Sequence, residues 1–160
     1  MMPMRRKDRL VTDPERIEEI IKTCNCCRIG FCDEGEVYIV PMNFGYEKTG
    51  DSYTFYFHGM PVGRKVDLMK KNPNVGFEMD TGFRLMGEGD IACKYSALYQ
   101  SIIGTGVISV VEDLEEKKKG MNLVMEYCTG RKDWEYEEWR LKGVGIFKLC
   151  VTELSCKEHQ

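Results

Sequence analysis

Arg64 and Lys65 stand side by side after Gly59-Met60-Pro61-Val62-Gly63, a tight stretch that follows the aromatic run Tyr53-Thr54-Phe55-Tyr56-Phe57-His58. The pattern predicts a strand ending at His58, a loop, and a helix opened by two cations. A helix start has unpaired backbone N–H groups and the positive end of the helix dipole. Cations are disfavoured there unless an anion shares the site, and Gly63 lets backbone approach such an anion closely. Hydrogen bonds from Arg64 and Lys65 to a phosphate would contribute ~1.5–3 kcal/mol each. Gly-x-x-x-Gly-Arg-Lys is not a P-loop, and on spacing alone a phosphate site and a solvated cationic turn both stay open.

His58 is one of two histidines; the other, His159, falls near the chain end, where a loose tail is expected. A polar group facing a site and a strand-end histidine satisfied by backbone are its two readings, and the cations nearby favour the first. Cys24, Cys26 and Cys27 form a C-x-C-C cluster. Tetrahedral metal sites combine separated pairs, and adjacent Cys26 and Cys27 on a strand point to opposite faces, so no metal is expected. Cys93 reads as a small buried thiol that could alternatively approach a pocket. Trp134, Tyr136 and Trp139, interleaved with acids, read as packing at a core or a subunit interface.

The chain that must position these groups has 160 residues, 42% hydrophobic and 31% charged, which predicts a single globular domain spanning 1–160. Lys plus Arg is 23 against 26 for Asp plus Glu, a net charge of −3, which argues against a nucleic-acid partner. The short basic run Arg5, Arg6, Lys7 and Arg9 does not change that. No apolar stretch reaches the ~18 residues of a membrane helix. Met1 to Lys7 is not followed by a hydrophobic run, so no export signal is expected. The expectation is a cytoplasmic protein, without a membrane, whose eight cysteines are reduced thiols.

A helix is predicted over 14–23, with Thr12 and Glu15 at capping-box spacing and Ile17, Ile20 and Ile21 as its apolar stripe. Strands are predicted over 26–32, 37–44 and 52–58, with turns at Asp33-Glu34-Gly35 and over 45–51. A short helix over 63–71 is stopped by Asn72-Pro73. A strand over 75–79 precedes a long loop over 80–94. The longest strand covers 99–112, with Gly104 and Gly106 marking a bulge or barrel corner. Asp113 and Glu116 start a helix through about Tyr127, 131–142 is ambiguous, and 144–154 closes the chain as a sixth strand. Six strands with peripheral helices make a mainly β fold, a small antiparallel barrel.

Several blocks together resemble the pyridoxamine 5′-phosphate oxidase-like flavin proteins, in the branch that includes the 5-nitroimidazole resistance proteins. They are Met4-Arg5-Arg6-Lys7-Asp8-Arg9, Val40-Pro41-Met42-Asn43-Phe44-Gly45-Tyr46, Phe57-His58 with Gly63-Arg64-Lys65, Asn72-Pro73-Asn74-Val75, and Tyr99-Gln100-Ser101-Ile102-Ile103-Gly104-Thr105-Gly106. The resemblance runs from about residue 4 to 112 and rests on the order and spacing of the blocks. It implies a split β-barrel homodimer with FMN at the subunit interface.

Carried over by position, Val40, Pro41, Met42 and Asn43 would line the isoalloxazine edge, largely through backbone groups. Phe57 and His58 would lie near the ribityl chain and phosphate, Gly63, Arg64 and Lys65 would hold the phosphate, and Ser101 with Gln100 would contact the cofactor. The implied function is an FMN-dependent oxidoreductase passing electrons or hydride to a small oxidised substrate, such as a nitroaromatic. A non-enzymatic FMN-binding redox or stress module and a related barrel binding haem are the alternatives. The true oxidases carry an Arg- and His-containing segment near the last strand. Here that stretch reads Trp139-Arg140-Leu141-Lys142-Gly143-Val144, without histidine, so oxidation of vitamin B6 is not expected.

Overall fold

In the computed structural model, which describes residues 5–160, helix α1 (Pro14–Thr23) starts where its proline dictates. Proline pushes the preceding residue out of the helical region. Asp13 is accordingly extended (φ −68°, ψ 117°), and its carboxylate accepts from the Glu15 amide. The cap is therefore Asp13 and not Thr12. At the other end the Tyr127 hydroxyl lies between the carbonyls of Ile21 and Cys24, 2.6 Å from the latter, and serves the open carbonyl end of the helix. Met4, the first residue of the basic block, lies outside the described residues, as do Met1, Met2 and Pro3.

The strands are β1 (Leu10–Val11), β2 (Cys27–Asp33), β3 (Glu36–Met42), β4 (Phe44–Thr49), β5 (Ser52–Gly59), β6 (Asn74–Met86), β7 (Ser96–Val110) and β8 (Gly145–His159). They form an eight-stranded sheet in the order β3-β2-β6-β7-β8-β5-β4, with β1 added along β8. Every pairing is antiparallel. The two ends of this path, β3 and β4, are consecutive in the chain and joined at Asn43 without pairing to each other. This is the mainly β, antiparallel split-barrel architecture expected.

The strand count is eight and not six for local reasons. The stretch expected as a turn over 45–51 is mostly strand β4, paired with β5 from Phe44↔Phe57 to Thr49↔Ser52. Its polar residues are partnered: Glu47 bonds Lys119 and Tyr56, and Lys48 bonds Glu18. β1 is two residues of pairing too short to show a period.

β6 runs on to Met86 with a register irregularity between Thr81 and Arg84, so the long loop shrinks. Beyond the irregularity the β6–β7 hairpin leaves the barrel, and Phe83 and Leu85 face solvent, which erases the alternation that marks a half-buried strand. The irregularity expected near Gly104 and Gly106 occurs between Thr105 and Gly106. β8 extends to His159, which pairs with Tyr99, so the expected loose tail is strand.

Alternate residues of the strands fill the interior: Cys27, Ile29 and Phe31 from β2, Tyr53, Phe55 and Phe57 from β5, and Phe147 and Leu149 from β8. Helix α2 (Arg64–Lys71) contributes Val66, Leu68 and Met69. A second cluster, Tyr56, Val111, Val124 and Ile146, lies under helix α3 (Leu114–Thr129), whose N-cap Asp113 accepts from the Glu116 amide as expected. The ambiguous stretch before β8 contains a short helix, α4 (Glu138–Lys142), with Leu141 buried. Trp139 on α4 is 70% exposed, so it does not join the core.

Two tests of this packing follow. A Cβ on Gly45 would lie 2.2 Å from the backbone carbonyl carbon of Leu123 and 2.4 Å from the amide nitrogen of Val124, so β4 and α3 touch main chain to main chain. Gly45→Ala is expected to destabilise the fold by at least ~2–3 kcal/mol, read as a lower urea midpoint.

Arg16 of α1 bonds both carboxylate oxygens of Glu158 on β8, and Gln100 and Gln160 add bonds at 2.6 and 2.7 Å. Chiefly through the Arg16 bonds, the Glu158 carboxyl is held down at about 2. A depressed carboxyl stabilises the fold above its unfolded value near 4.5 and loses that contribution as the pH falls through the folded value. Urea midpoints from pH about 5 to about 2 are expected to decline less in Glu158→Gln than in the parent chain.

Candidate functional site

Gly63 has φ +117°, a conformation that side chains with a Cβ rarely adopt, and its carbonyl accepts from the amides of Val66 and Asp67. That turn opens α2, and the amides of Arg64 and Lys65 precede the first intrahelical bonds. The Arg64 guanidinium lies 4.4 Å from the Tyr38 ring centroid and 3.7 Å from Asp33 Oδ2. Asp33 is bonded more closely by Lys71 at 3.0 Å, and chiefly for that reason its carboxyl lies below the ordinary range. Arg64 is therefore seated on β2 and β3 with its charge only loosely used.

Lys65 turns the other way. Its Nζ is 5.6 Å from the Phe147 ring centroid and lies close to Gly59. Among the described residues no carboxylate pairs with it. The start of α2 thus bridges the β3 side and the β5 side of the barrel with two cations.

His58, next to last in β5, pairs with Ile146, and its side chain is exposed. Phe57 is fully buried in the barrel, so its ring packs core and faces no ligand space. Val40 and Met42 also turn inward, whereas Pro41 and Asn43 are exposed. Because β3 ends the sheet, the backbone groups on one side of 40–42 have no strand beside them. Asn43 donates to the Asn25 carbonyl at 3.3 Å. Along β3, the cation over Tyr38 is followed by the free edge of 40–42 and then by Asn43, a strip with charge at one end and peptide groups at the other.

Gln100 and Ser101 are not part of that strip. Ser101 pairs with Asp80 and Lys157, and the Gln100 amide is bonded to Glu158. Lys65 lies beside Phe147, which is in register with Val110 on β7. The nine residue steps from Ser101 to Val110 span about 30 Å of strand. Within one chain the two groups of expected site residues therefore sit at opposite ends of the β7–β8 ladder.

The sequence assigns Asp33 only to a turn and Tyr38 only to a strand, and their seating of Arg64 depends on α2 folding back over β2 and β3. The alternation Val37-Tyr38-Ile39, with Tyr38 turned inward, is the one linear sign of it. Cys24 and Cys27 are buried, burial pushes the Cys24 thiol up to about 12, and that thiol donates to the Ile20 carbonyl. Cys93 is exposed in a short turn before β7 and not buried.

A family model described as pyridoxamine 5′-phosphate oxidase matches residues 13–158. A provisionally assigned 5-nitroimidazole antibiotic resistance protein from Bacteroides thetaiotaomicron is 32% identical, with 92% of this chain and 85% of that chain covered and a TM-score of 0.80. The flavocytochrome Anf3 from Azotobacter vinelandii is 16% identical over 99% of this chain and 72% of its own, with a TM-score of 0.80. The FAD and heme binding protein from Mycobacterium smegmatis is 15% identical over 95% and 74%, with a TM-score of 0.78. At those identities the last two show a shared fold. Comparison with curated proteins finds no match. Among the described residues no helix is long and apolar enough to cross a membrane. The split barrel, the order of its blocks and the near-full-length match lead to one conclusion: this chain belongs to the pyridoxamine 5′-phosphate oxidase family.

Proposed function

We propose that this protein binds FMN along the strip from Arg64 and Lys65 to Asn43, and that two copies of the chain complete each site. The observation that carries this reading is the glycine-capped start of α2, where Lys65 has no carboxylate partner among the described residues and Arg64 lies over Tyr38 of the edge strand β3. A phosphate supplies the missing negative charge, and the peptide groups of 40–43 offer donors and acceptors to a flat heterocycle. These groups fit the cofactor's two unlike ends. When bound, FMN supplies hydride and electron transfer, and the protein supplies placement and electrostatics.

In this reading Arg64 and Lys65 anchor and take no part in the redox step. The exposed His58 faces the anchored end, and Phe57 supports it from within the core. Gln100 and Ser101 reach a cofactor only from the second copy, because their own cationic turn is about 30 Å away along the ladder. The outer sheet face offers a place for that copy. Val37 and Ile39 are 71% and 60% exposed, and Ile103 and Val107 are 50% and 41% exposed. Gly30 and Gly76 lie between Ile39 and Thr105 in register and keep the face flat. Such an apolar patch on one face fits a subunit interface.

The 32% identical relative points to a small oxidised acceptor of the nitroaromatic kind. FMN titration of the purified protein tests the cofactor assignment. Saturation at one FMN per chain is expected, and the double variant Arg64→Ala/Lys65→Ala is expected to weaken it roughly 100-fold or more while leaving the urea midpoint unchanged. Unchanged titration in the double variant, or a haem spectrum with no FMN uptake, overturns it. Ile39→Glu tests the assembly. Sedimentation is expected to show a dimer for the parent chain and a monomer for the variant, with FMN affinity falling alongside. A monomeric parent that binds FMN fully overturns the shared site.

A further inference from the structure

At the Gln100 end of the ladder, the direct side-chain contacts of Arg9 are with neutral groups. Its Nη1 donates to the Tyr99 hydroxyl at 3.2 Å, and the Tyr99 ring centroid is 5.8 Å from the guanidinium carbon. Its Nη2 lies 3.3 Å from His159 Nε2, while His159 Nδ1 is 2.6 Å from the Ala97 carbonyl. A carbonyl only accepts, so Nδ1 carries the proton of the neutral ring and Nε2 accepts from Arg9. His159 is thus used as a neutral acceptor and not as a counter-charge.

A guanidinium has five N–H donors, and these contacts use two. The Nε is buried and bonded to nothing among the described residues. Buried donors normally have an acceptor, and a partly buried cation normally has an anion.

The surrounding carboxylates are already engaged. Asp8 accepts from Arg6 at 2.6 and 2.8 Å, and Glu158 is held by Arg16, Gln100 and Gln160. Among the described residues neither lies within ion-pair distance of Arg9, although the Arg9 charge is felt by the Asp8 carboxylate.

Space adjoins the arginine. A cavity of about 360 Å³ is lined by Arg9, Asp8, Glu158 and His159 among others. A second of about 540 Å³ shares His159 and is lined by Tyr99, Gln100 and Arg84. Arg84 is exposed and has no carboxylate partner among the described residues. Arg9 thus lines the first cavity, Arg84 and Tyr99 line the second beside Gln100, and His159 and Gln160 border both.

We propose that Arg9, oriented by Tyr99 and His159, binds an oxyanionic group, carboxylate or phosphate, of the small molecule that reacts at the cofactor. The placement beside a cofactor rests on the function proposed above; the oxyanion chemistry rests on Arg9 alone. A planar guanidinium with unused donors binds either group through two parallel hydrogen bonds. Arg9 is a binding residue in this scheme, and Tyr99 and His159 are positioning residues. The site selects anionic compounds over neutral ones of the same shape.

The test is a titration of FMN-free protein, labelled with ¹⁵N in its arginine side chains, against inorganic phosphate and separately against benzoate. A saturable shift of the Arg9 Nε–H signal is expected with at least one anion, and the stronger of the two identifies the group. Arg9→Gln is expected to weaken binding, measured by calorimetry with the same anion, roughly tenfold or more. Arg9→Lys should recover part of it, because it keeps the charge but not the fork. Should Arg9→Gln fail to fold, Tyr99→Phe takes its place and is expected to weaken binding several-fold.

The Arg64→Ala/Lys65→Ala protein is expected to keep the Arg9 response intact, which separates this site from the cofactor site. No response to either anion, or affinity unchanged in Arg9→Gln, overturns the proposal. Failure of FMN to bind overturns the flavin reading and leaves the Arg9 response to be judged by itself.

Discussion

The pairing of β7 with β8, which runs from Tyr99 to Val110 along the first strand, sets a distance that no loop in the chain can shorten. Backbone hydrogen bonds hold the two strands in register from Tyr99↔His159 to Val110↔Phe147, interrupted once beside Gly106. The polar groups of the proposed sites are attached to one end or the other of this ladder. The cations of α2 are at the Phe147 end; Gln100, Ser101, Arg9 and His159 are at the other. A single chain cannot fold these onto one small molecule without breaking the pairing that makes it a barrel.

The two ends also differ in how they treat charge. At the α2 end, Asp33 is claimed by Lys71, which leaves Arg64 loosely held and Lys65 without a carboxylate among the described residues. At the far end, Glu158 gathers Arg16, Gln100 and Gln160 around one carboxylate. That network ties α1 and β7 to the last strand. Arg9 lies beside this network without joining it, and its hydrogen-bond partners are neutral.

The legible parts of the sequence were those where a local rule acts alone. Pro14 marked α1, Asp113 with Glu116 marked α3, and Gly63 before two cations marked the start of α2. The turn Asp33-Glu34-Gly35 marked the end of β2. What escaped were features set by distant partners. β4 resembles a polar turn because its charged residues find their mates on α1 and α3. The outer half of β6 loses its alternation because it leaves the barrel. Phe57 belongs to the implied site block, yet its ring is core, because strand periodicity sends it inward while His58 faces out. Arg9 and His159 lie 150 residues apart in the chain and meet through β8 pairing with both β1 and β7.

The separation of the two polar ends has a thermodynamic side. When a small molecule is held by groups from two copies, its binding and the association of the copies are linked, each strengthening the other. Under the proposed assembly, flavin retention becomes a function of how much of the protein is present. Dilution draws cofactor and partner away together, and an abundant protein stays loaded at flavin levels that leave a scarce one empty.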